Sequence, residues 1–466
     1  MRGGQSIGPL VCVALLTACS AQDSSNRPTV ATPSPSSAAP APTTTAPDPE
    51  EPSTTEPLVI AVHVRRPPAD LTRAQAGLVV DGGVRRWGQL GLPGGRLTVT
   101  RNVRDLADLA PDTVAVVPAS AVGAGVRALS VDGVDPLRDP DGYLLRVVGP
   151  APGAVTTLSV VGDVMLGRAV GARAAAQGDP SYPLRPMQRR LASADITVGN
   201  LEGTLSEAGT PTQGTDSFHA DPRVRAGLRA AGFDAVGLAN NHAGDYGDGA
   251  LVETVDLLRA ARLRPFGAGA GLGDARRAAV VTRHGVRFGF VGFNAIGETP
   301  EAGAGRPGAS SISMPPRTGP LDRAELDRVL GDVRRLADRV DVVVVMPHWG
   351  EQYTDRPWPV QAYVARQLVR AGAGLVVGGH PHWVQGASLV GDALVVNSLG
   401  NFTFDMVGPE ENEGLVLEAT YWDDELKGVT FVPYRIGPDF APRVVSRAAA
   451  QHTYDLFWEF SPLGAS

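Results

Sequence analysis

The chain has 466 residues, too many for one domain of ordinary size and enough for a large core. Its formal net charge of -7 argues against a general nucleic-acid binder, so no nucleic-acid partner is expected. Cys12 and Cys19 are its only cysteines and both lie near the N-terminus. That excludes a disulfide framework in the folded part, and any metal there must be held by His, Asp, Glu and Asn.

Arg2 precedes an apolar core from Ile7 to Ala18 that is too short to span a bilayer comfortably, so residues 1–18 read as a signal peptide. It ends in Leu16-Thr17-Ala18-Cys19, which resembles the lipobox of bacterial lipoproteins. The resemblance implies that Cys19 is lipidated and becomes the mature N-terminus, giving an extracytoplasmic protein anchored to the cell membrane. The alternative is an ordinary secretory signal with Cys19 incidental. Residues 19–57 are rich in Pro, Ser, Thr and Ala and almost free of large apolar residues. Such a segment cannot bury enough surface to fold, and it reads as a disordered tether.

Residues 58–148 form a first candidate domain, small and α/β, with short strands in "LVIAVHV" and "TVAVVPA". "LTRAQAGLVVDGGVRRWGQLG", Leu71 to Gly91, predicts a helix, a turn and an aromatic stop. This part faintly resembles one lobe of the phosphate-type periplasmic solute-binding proteins. A lone lobe lacks a ligand cleft, so the resemblance implies a degenerate accessory domain.

A second domain is expected over 155–445. Apolar runs such as "TLSVVGD", "ADITVGN", "FDAVGLAN", "RFGFVGFN", "DVVVVMPHWG", "AGLVVGGH" and "DALVVNSLGNF" each end in glycine and polar residues. Between several of them lie stretches of helical spacing, "LVETVDLLRAARL" and "DRAELDRVLGDVRRLADRV". Strands alternating with helices predict a layered α/β architecture that presents polar residues just beyond its strand ends.

Those polar residues are Asp163, Asn200, Glu202, Asn240, Asn241, His242, His348, His380, His382, Asn397 and Asn401. Imidazole, carboxylate and amide oxygen suit divalent Zn, Mn and Fe. Two adjacent ions need about six to eight protein ligands and gain from a bridging carboxylate. Asp163, Glu202, Asn241, His348, His380 and His382 supply six, so one or two divalent ions are expected. Taken singly, each motif has a bland reading: "GD" is common turn chemistry, "NNH" can cap a helix, and a His-Trp pair is usually packing. Their joint occurrence, each after an apolar run, is what points to a site.

The ordered set "GDVMLGR", "GNLEGTL", "LANNHAGDYG", "HWGEQY", "GGHPHWVQG" and "NSLGNFTFD", Leu158 to Asp405, resembles the CapA family of poly-γ-glutamate capsule proteins. That family in turn resembles the calcineurin-like metallophosphoesterases. The resemblance implies a layered α/β/β/α metallophosphatase-like sandwich. It makes Glu202 the bridging carboxylate, Asn241 a ligand, His242 the residue near the leaving group, and His380 and His382 the final ligand pair. The superfamily's first block, Asp-x-His, is broken here, because Met165 stands where the histidine belongs.

In a catalytic site the ions would polarise the scissile group and lower the pKa of water attacking a phosphoester phosphorus or an amide carbonyl. His242 would be the general acid. Asp245 could orient it through a ring nitrogen, or be a surface charge or helix cap. Arg168 could pair with an anionic substrate group, or be a solvated helix residue. Trp349, Trp383 and Phe402 could line the cleft, with core packing favoured for Phe402. Two functions stay open. One is a metal-dependent hydrolase or transferase acting on an anionic envelope polymer or phosphoester. The other is a non-catalytic component that binds or tethers poly-γ-glutamate beside other capsule-synthesis proteins. Solute sensing by 58–148 is a third and weaker reading.

Overall fold

The computed structural model describes residues 54–106 and 108–463. The signal peptide, Cys19 and nearly all of the expected tether lie outside the described residues.

Order begins inside the stretch read as tether. β1 (Thr55–His63) takes up the last three residues of that stretch, because Thr55 and Glu56 have partners. Arg146 donates to Thr55 through Nε (2.8 Å) and Nη2 (2.8 Å), and the buried Glu56 carboxylate accepts from the Ser120 N–H (2.6 Å). β1 is paired by β3 (Thr113–Pro118), β4 (Val126–Ala128) and β5 (Arg146–Val148), and β2 (Thr98–Thr100) flanks β3. The predicted helix is α1 (Arg73–Val80), capped by Thr72, and the aromatic stop is a short 3₁₀ turn, Trp87–Leu90.

The chain then lays down four parallel strands: β6 (Val155–Val164), β7 (Ile196–Leu201), β8 (Ala235–Gly237) and β9 (Arg264–Phe266). It passes into a second sheet made of β10 (Ala279–Arg283), β11 (Val286–Asn294), β12 (Val342–His348), β13 (Leu375–Val377), β14 (Val384–Val390) and β15 (Ala393–Leu399). It returns to the first sheet with β16 (Asn401–Thr403), β17 (Glu413–Trp422), β18 (Glu425–Ile436) and β19 (Pro442–Val444).

Alternation along the strands sets the layers. Leu158, Val160, Ile196 and Val198 of the first sheet share one buried cluster with Phe288, Phe290, Val342 and Val344 of the second. The other face of the first sheet, through Val161 and Val236, packs on α2 (Arg168–Ala176), α3 (Arg185–Leu191), α4 (Val224–Ala230) and α5 (Gly247–Ala260). The other face of the second sheet, through Val343, Val345 and Val395, packs on α6 (Arg323–Ala337) and α7 (Pro359–Arg370). The protein is therefore mixed α/β. In α6, Asp322 caps the N-terminus and Leu326, Val329, Leu330, Val333 and Leu336 form the buried stripe.

One element beyond the expected domain end contributes to the core. α8 (Gln451–Glu459) inserts Tyr454 and Phe457 into the cluster between the sheets. The N-terminal part, built on β1–β5, docks on the β17–β18 hairpin: Trp422 Nε1 donates to Leu137 O (2.8 Å), and Lys427 Nζ to Ser120 O (3.1 Å). No helix among the described residues is long and apolar enough to cross a membrane.

A polar clasp ties the segment between α2 and α3 to the β18–β19 turn. Asp439 accepts from Arg443 Nη1 (2.8 Å) and Nη2 (2.7 Å) and from the Tyr182 hydroxyl (3.0 Å). Arg443 chiefly, then Tyr182, hold its carboxyl down at about 2, against burial. A depressed carboxylate contributes stability above its unfolded pKa of about 4 and loses it as pH falls from there to about 2. Asp439→Asn is expected to cost about 1 kcal/mol at neutral pH, after allowance for solvent screening, and nothing near pH 2. Urea melts of both proteins at the two pH values check it.

Candidate metal centre and cleft

Strand register assembles the centre. Asp163, at the end of β6, pairs with Asn200 on one side and Asn401 on the other. His348 ends β12 and bridges to Gly379, just after β13. The parallel strands thus deliver their polar last residues to one edge of the layered body.

Asp163 is fully buried. Its Oδ1 accepts from Asn200 Nδ2 (2.8 Å) and its Oδ2 from the His380 N–H (3.0 Å). Burial raises its carboxyl to about 6, partly offset by those two bonds. Asp163, Glu202 and His382 offer ligand atoms that all lie within 4.8 Å of one another. Glu202 is buried with neither oxygen hydrogen-bonded, and so is His380 with neither ring nitrogen bonded. Burial, then the charges of Asp163 and Asp245, push the Glu202 carboxyl well above the usual range. Burial also holds His348 and His380 well below the usual imidazole range and His382 at about 4. Neutral imidazoles and an acidic cluster with unpartnered buried atoms are the donor set a divalent cation requires. The residues present fit a metal.

The remaining expected ligands converge on the same place. Asn241 Oδ1 lies 2.8 Å from His348 Nε2, and its Nδ2 donates to Glu298 Oε2 (2.8 Å), which fixes the amide oxygen toward the centre. The His348 and His380 rings lie 5.0 Å apart, and those of His380 and His382 5.9 Å. His382 Nδ1 is held by Asn401 Oδ1 (2.8 Å). The "HPH" turn has left-handed backbone at both histidines, φ 98° at His380 and 61° at His382, a strained geometry typical of functional sites. Gly379 is required here, because a Cβ would stand 2.5 Å from Asp163 Oδ1. Gly379→Ala must displace a carboxylate pinned by two hydrogen bonds. It is expected to weaken metal binding about 10- to 100-fold while the global fold persists. Metal titration followed by thermal unfolding checks both halves.

His242 sits beside this centre. Its ring is 3.7 Å from that of Phe218 and nearly parallel to it. Its Nδ1 donates to Asp245 Oδ2 (2.8 Å), and its Nε2 faces Glu202 Oε1 at 3.8 Å. Asp245 is neither a surface charge nor a helix cap. It is fully buried and also accepts from the Phe218 N–H (2.6 Å) and Gln213 Nε2 (2.5 Å).

Arg168 is not a free anion receptor. Asp405 takes its guanidinium through both oxygens, Nε at 3.1 Å, and Asp216 lies 3.9 Å from Nη1. Trp349 does not line the cleft: it is fully buried in the core under α6 and α7, its Nε1 donating to Asn397 O (3.1 Å). Phe402 is core as expected. Neither Trp349 nor Trp383 borders the open cleft of about 470 Å³ above His242 and His382. Its aromatic walls are Phe218 and Tyr353, the latter over His382 at 5.8 Å. Glu298, Gln213 and Tyr353 were not anticipated. Glu298 follows the apolar run of β11 by four residues, and that strand end was the one signal available.

The described chain is thus a mixed α/β protein with a buried Asp/Glu/His centre able to hold a metal. Residues 157–406, more than half of the chain, match the family model "Bacterial capsule synthesis protein PGA_cap". The chain belongs to this family, the CapA proteins. The capsule biosynthesis protein CapA of Bacillus anthracis is 30% identical over 302 residues, 63% of this chain and 70% of that one. The PGA biosynthesis protein CapA of Bacillus subtilis (strain 168) is 28% identical over 254 residues, 54% of this chain and 64% of that one. A protein of Mycobacterium tuberculosis described as a probable polyglutamine synthesis accessory protein is 30% identical over 268 residues, 49% of this chain and 69% of that one.

Proposed function

We propose that this chain is a metal-dependent hydrolase of the cell envelope. Its substrate would be an anionic polymer or phosphoester in poly-γ-glutamate capsule biosynthesis, handled on a metallophosphatase-like α/β/β/α sandwich. The observation that carries the reading is the His242–Asp245 pair. A buried carboxylate fixes one ring nitrogen and leaves the other aimed at the unpartnered buried carboxylate of Glu202, and the His242 ring itself lines an open cleft.

Asp163, Glu202, Asn241, His348, His380 and His382 would hold one or two ions of Mn, Zn or Fe. When bound, the ions would supply Lewis-acid polarisation of the scissile group and activate water for attack. The chain does the rest. Asp245, accepting from Nδ1–H, holds the ring so that the imidazolium form of His242 presents its Nε2–H to the leaving group. Asn241, clamped by Glu298, keeps its oxygen on the centre. Phe218 and Tyr353 narrow the cleft and limit water. Attachment outside the membrane through Cys19, beside other capsule-synthesis proteins, belongs to the same proposal and rests on the lipobox match.

A second reading, a component that holds metal and binds polymer without turnover, draws support from Met165. It stands where the superfamily carries a histidine, and its thioether accepts from the Gly167 N–H (3.1 Å). Assay of the purified chain with Mn or Zn against an aryl phosphodiester and poly-γ-glutamate separates the two. Turnover that is lost in His242→Ala supports the hydrolase. Bound metal with neither substrate cleaved favours the second reading.

A further inference from the structure

A second large cleft, about 580 Å³, opens between the edge strands of the two main sheets, β9 and β10. Six arginines line it: Arg229, Arg259, Arg262, Arg264, Arg277 and Arg283. The one acidic residue in its wall is Asp234, which Arg283 (2.6 Å) and Arg229 (3.8 Å) share. Asp274 serves Arg259 and Arg277, and Asp256 lies 3.9 Å from Arg259. Six cations therefore face three carboxylates, on a chain whose net charge is -7. The side chains of Arg262 and Arg264 are exposed and have no hydrogen bond or ion pair among the described residues.

Arginine in place of lysine is the habit of the whole chain, which has a single lysine, Lys427. What distinguishes the cleft is the concentration of charge. Edge strands are commonly guarded by scattered charges against pairing with another chain. Six cations converging on one concavity exceed that need. Exposed ion pairs are each worth about 0–1 kcal/mol, so such a surface holds a single small anion poorly. It holds a repeating polyanion well, because the contacts add within one molecule. The cleft is also remote from the metal centre. Arg283 Nε donates to Asp195 O (2.9 Å) just before β7, and Glu202 lies just past the other end of that strand. Seven residues of extended chain put the two roughly 20 Å apart.

We propose that this arginine cleft is a second binding site for a polymer of carboxylates. It would hold one segment of poly-γ-glutamate while another reaches the His242 cleft. The inference rests on the reading that this chain handles that polymer.

The test is binding of end-labelled poly-γ-glutamate to the full chain at low and high salt. The proteins compared are wild type, Arg262→Glu/Arg264→Glu, Arg262→Gln/Arg264→Gln and His380→Ala/His382→Ala. The charge-reversed pair is expected to bind roughly tenfold or more weakly and to lose most of the salt dependence. The Gln pair should move the same way by less. Melting temperature, bound metal and aryl phosphodiester turnover should be unchanged in both, and the histidine variant should keep its polymer affinity. Equal affinity in the charge-reversed pair, with loss in the histidine variant, would overturn the inference and leave the proposed function standing. No polymer binding by wild type would overturn both. Unchanged polymer binding with lost binding to phosphatidylglycerol vesicles would make the cleft a membrane-facing patch and also overturn it.

Discussion

His242→Ala is expected to lower hydrolysis of an aryl phosphodiester by about 10²- to 10⁴-fold, the usual worth of a positioned general acid. Bound metal should stay at the wild-type level. The separation follows from the geometry. The ring of His242 is held by Asp245 and stacked on Phe218, and none of the expected ligands is hydrogen-bonded to it. The backbone N–H of His242 donates to Asn240 Oδ1 (3.0 Å), and that bond survives the substitution. Asp245→Asn should act in the same direction through a different route, because an amide that donates to Nδ1 keeps that nitrogen unprotonated and denies the ring the second proton the acid form needs. Kinetics on both variants beside elemental analysis check this. A drop in turnover that tracks loss of metal would make His242 a ligand rather than an acid.

Glu202→Gln should make the metal-free protein more stable and the metal-loaded protein less so. Both Glu202 oxygens are buried without a partner, beside Asp163 and Asp245. A buried carboxyl in that position costs about 1–3 kcal/mol. The sign of its pH dependence follows from linkage. Its folded pKa is raised, so the fold keeps a proton that the unfolded chain releases above about 4.3. The metal-free wild type therefore loses stability as pH rises past that point. The Gln variant lacks this loss and should melt a few degrees higher at neutral pH without metal. With metal the order reverses. Binding at a thousandfold excess over Kd adds about 4 kcal/mol to the wild type, and the variant, lacking a bridging carboxylate, should lose most of that gain. Thermal unfolding with and without Mn measures both terms. An equal metal-induced shift in the two proteins would remove Glu202 from the ligand set.

Much of this was visible in the sequence because the site is built from strand ends. An apolar run stopping at "GD", "GN" or "PH" marks where a buried strand gives way to chemistry, and register carries Asp163 to Asn200 and His348 to Gly379. α6 was legible for a similar reason, since Asp322 and its apolar stripe obey local rules. What was not legible depends on contacts across long sequence separations. Asp405 neutralises Arg168 from 237 residues away, and Gln213 reaches Asp245 from a loop with no periodic pattern. Glu298 has a left-handed backbone, φ 62°, which no neighbouring residue signals. Trp349 follows His348 in sequence, yet the strand turns it into the core behind the site. α8 was missed because its core contacts, Tyr454 and Phe457, complete a cluster whose other members lie far upstream. The arginine cleft has the same character. Its cations come from α4, α5, β9, β10 and the segments beside them, and only the fold brings them to one seam.

The most direct test of the central claim is metal content by elemental analysis of the purified chain, wild type and His380→Ala/His382→Ala, after reconstitution with Mn or Zn. One or two equivalents of ion in the wild type and little in the variant is the expected result. No stably bound ion in the wild type would contradict it, and would leave the buried Asp163, Glu202 and His382 cluster without a chemical role.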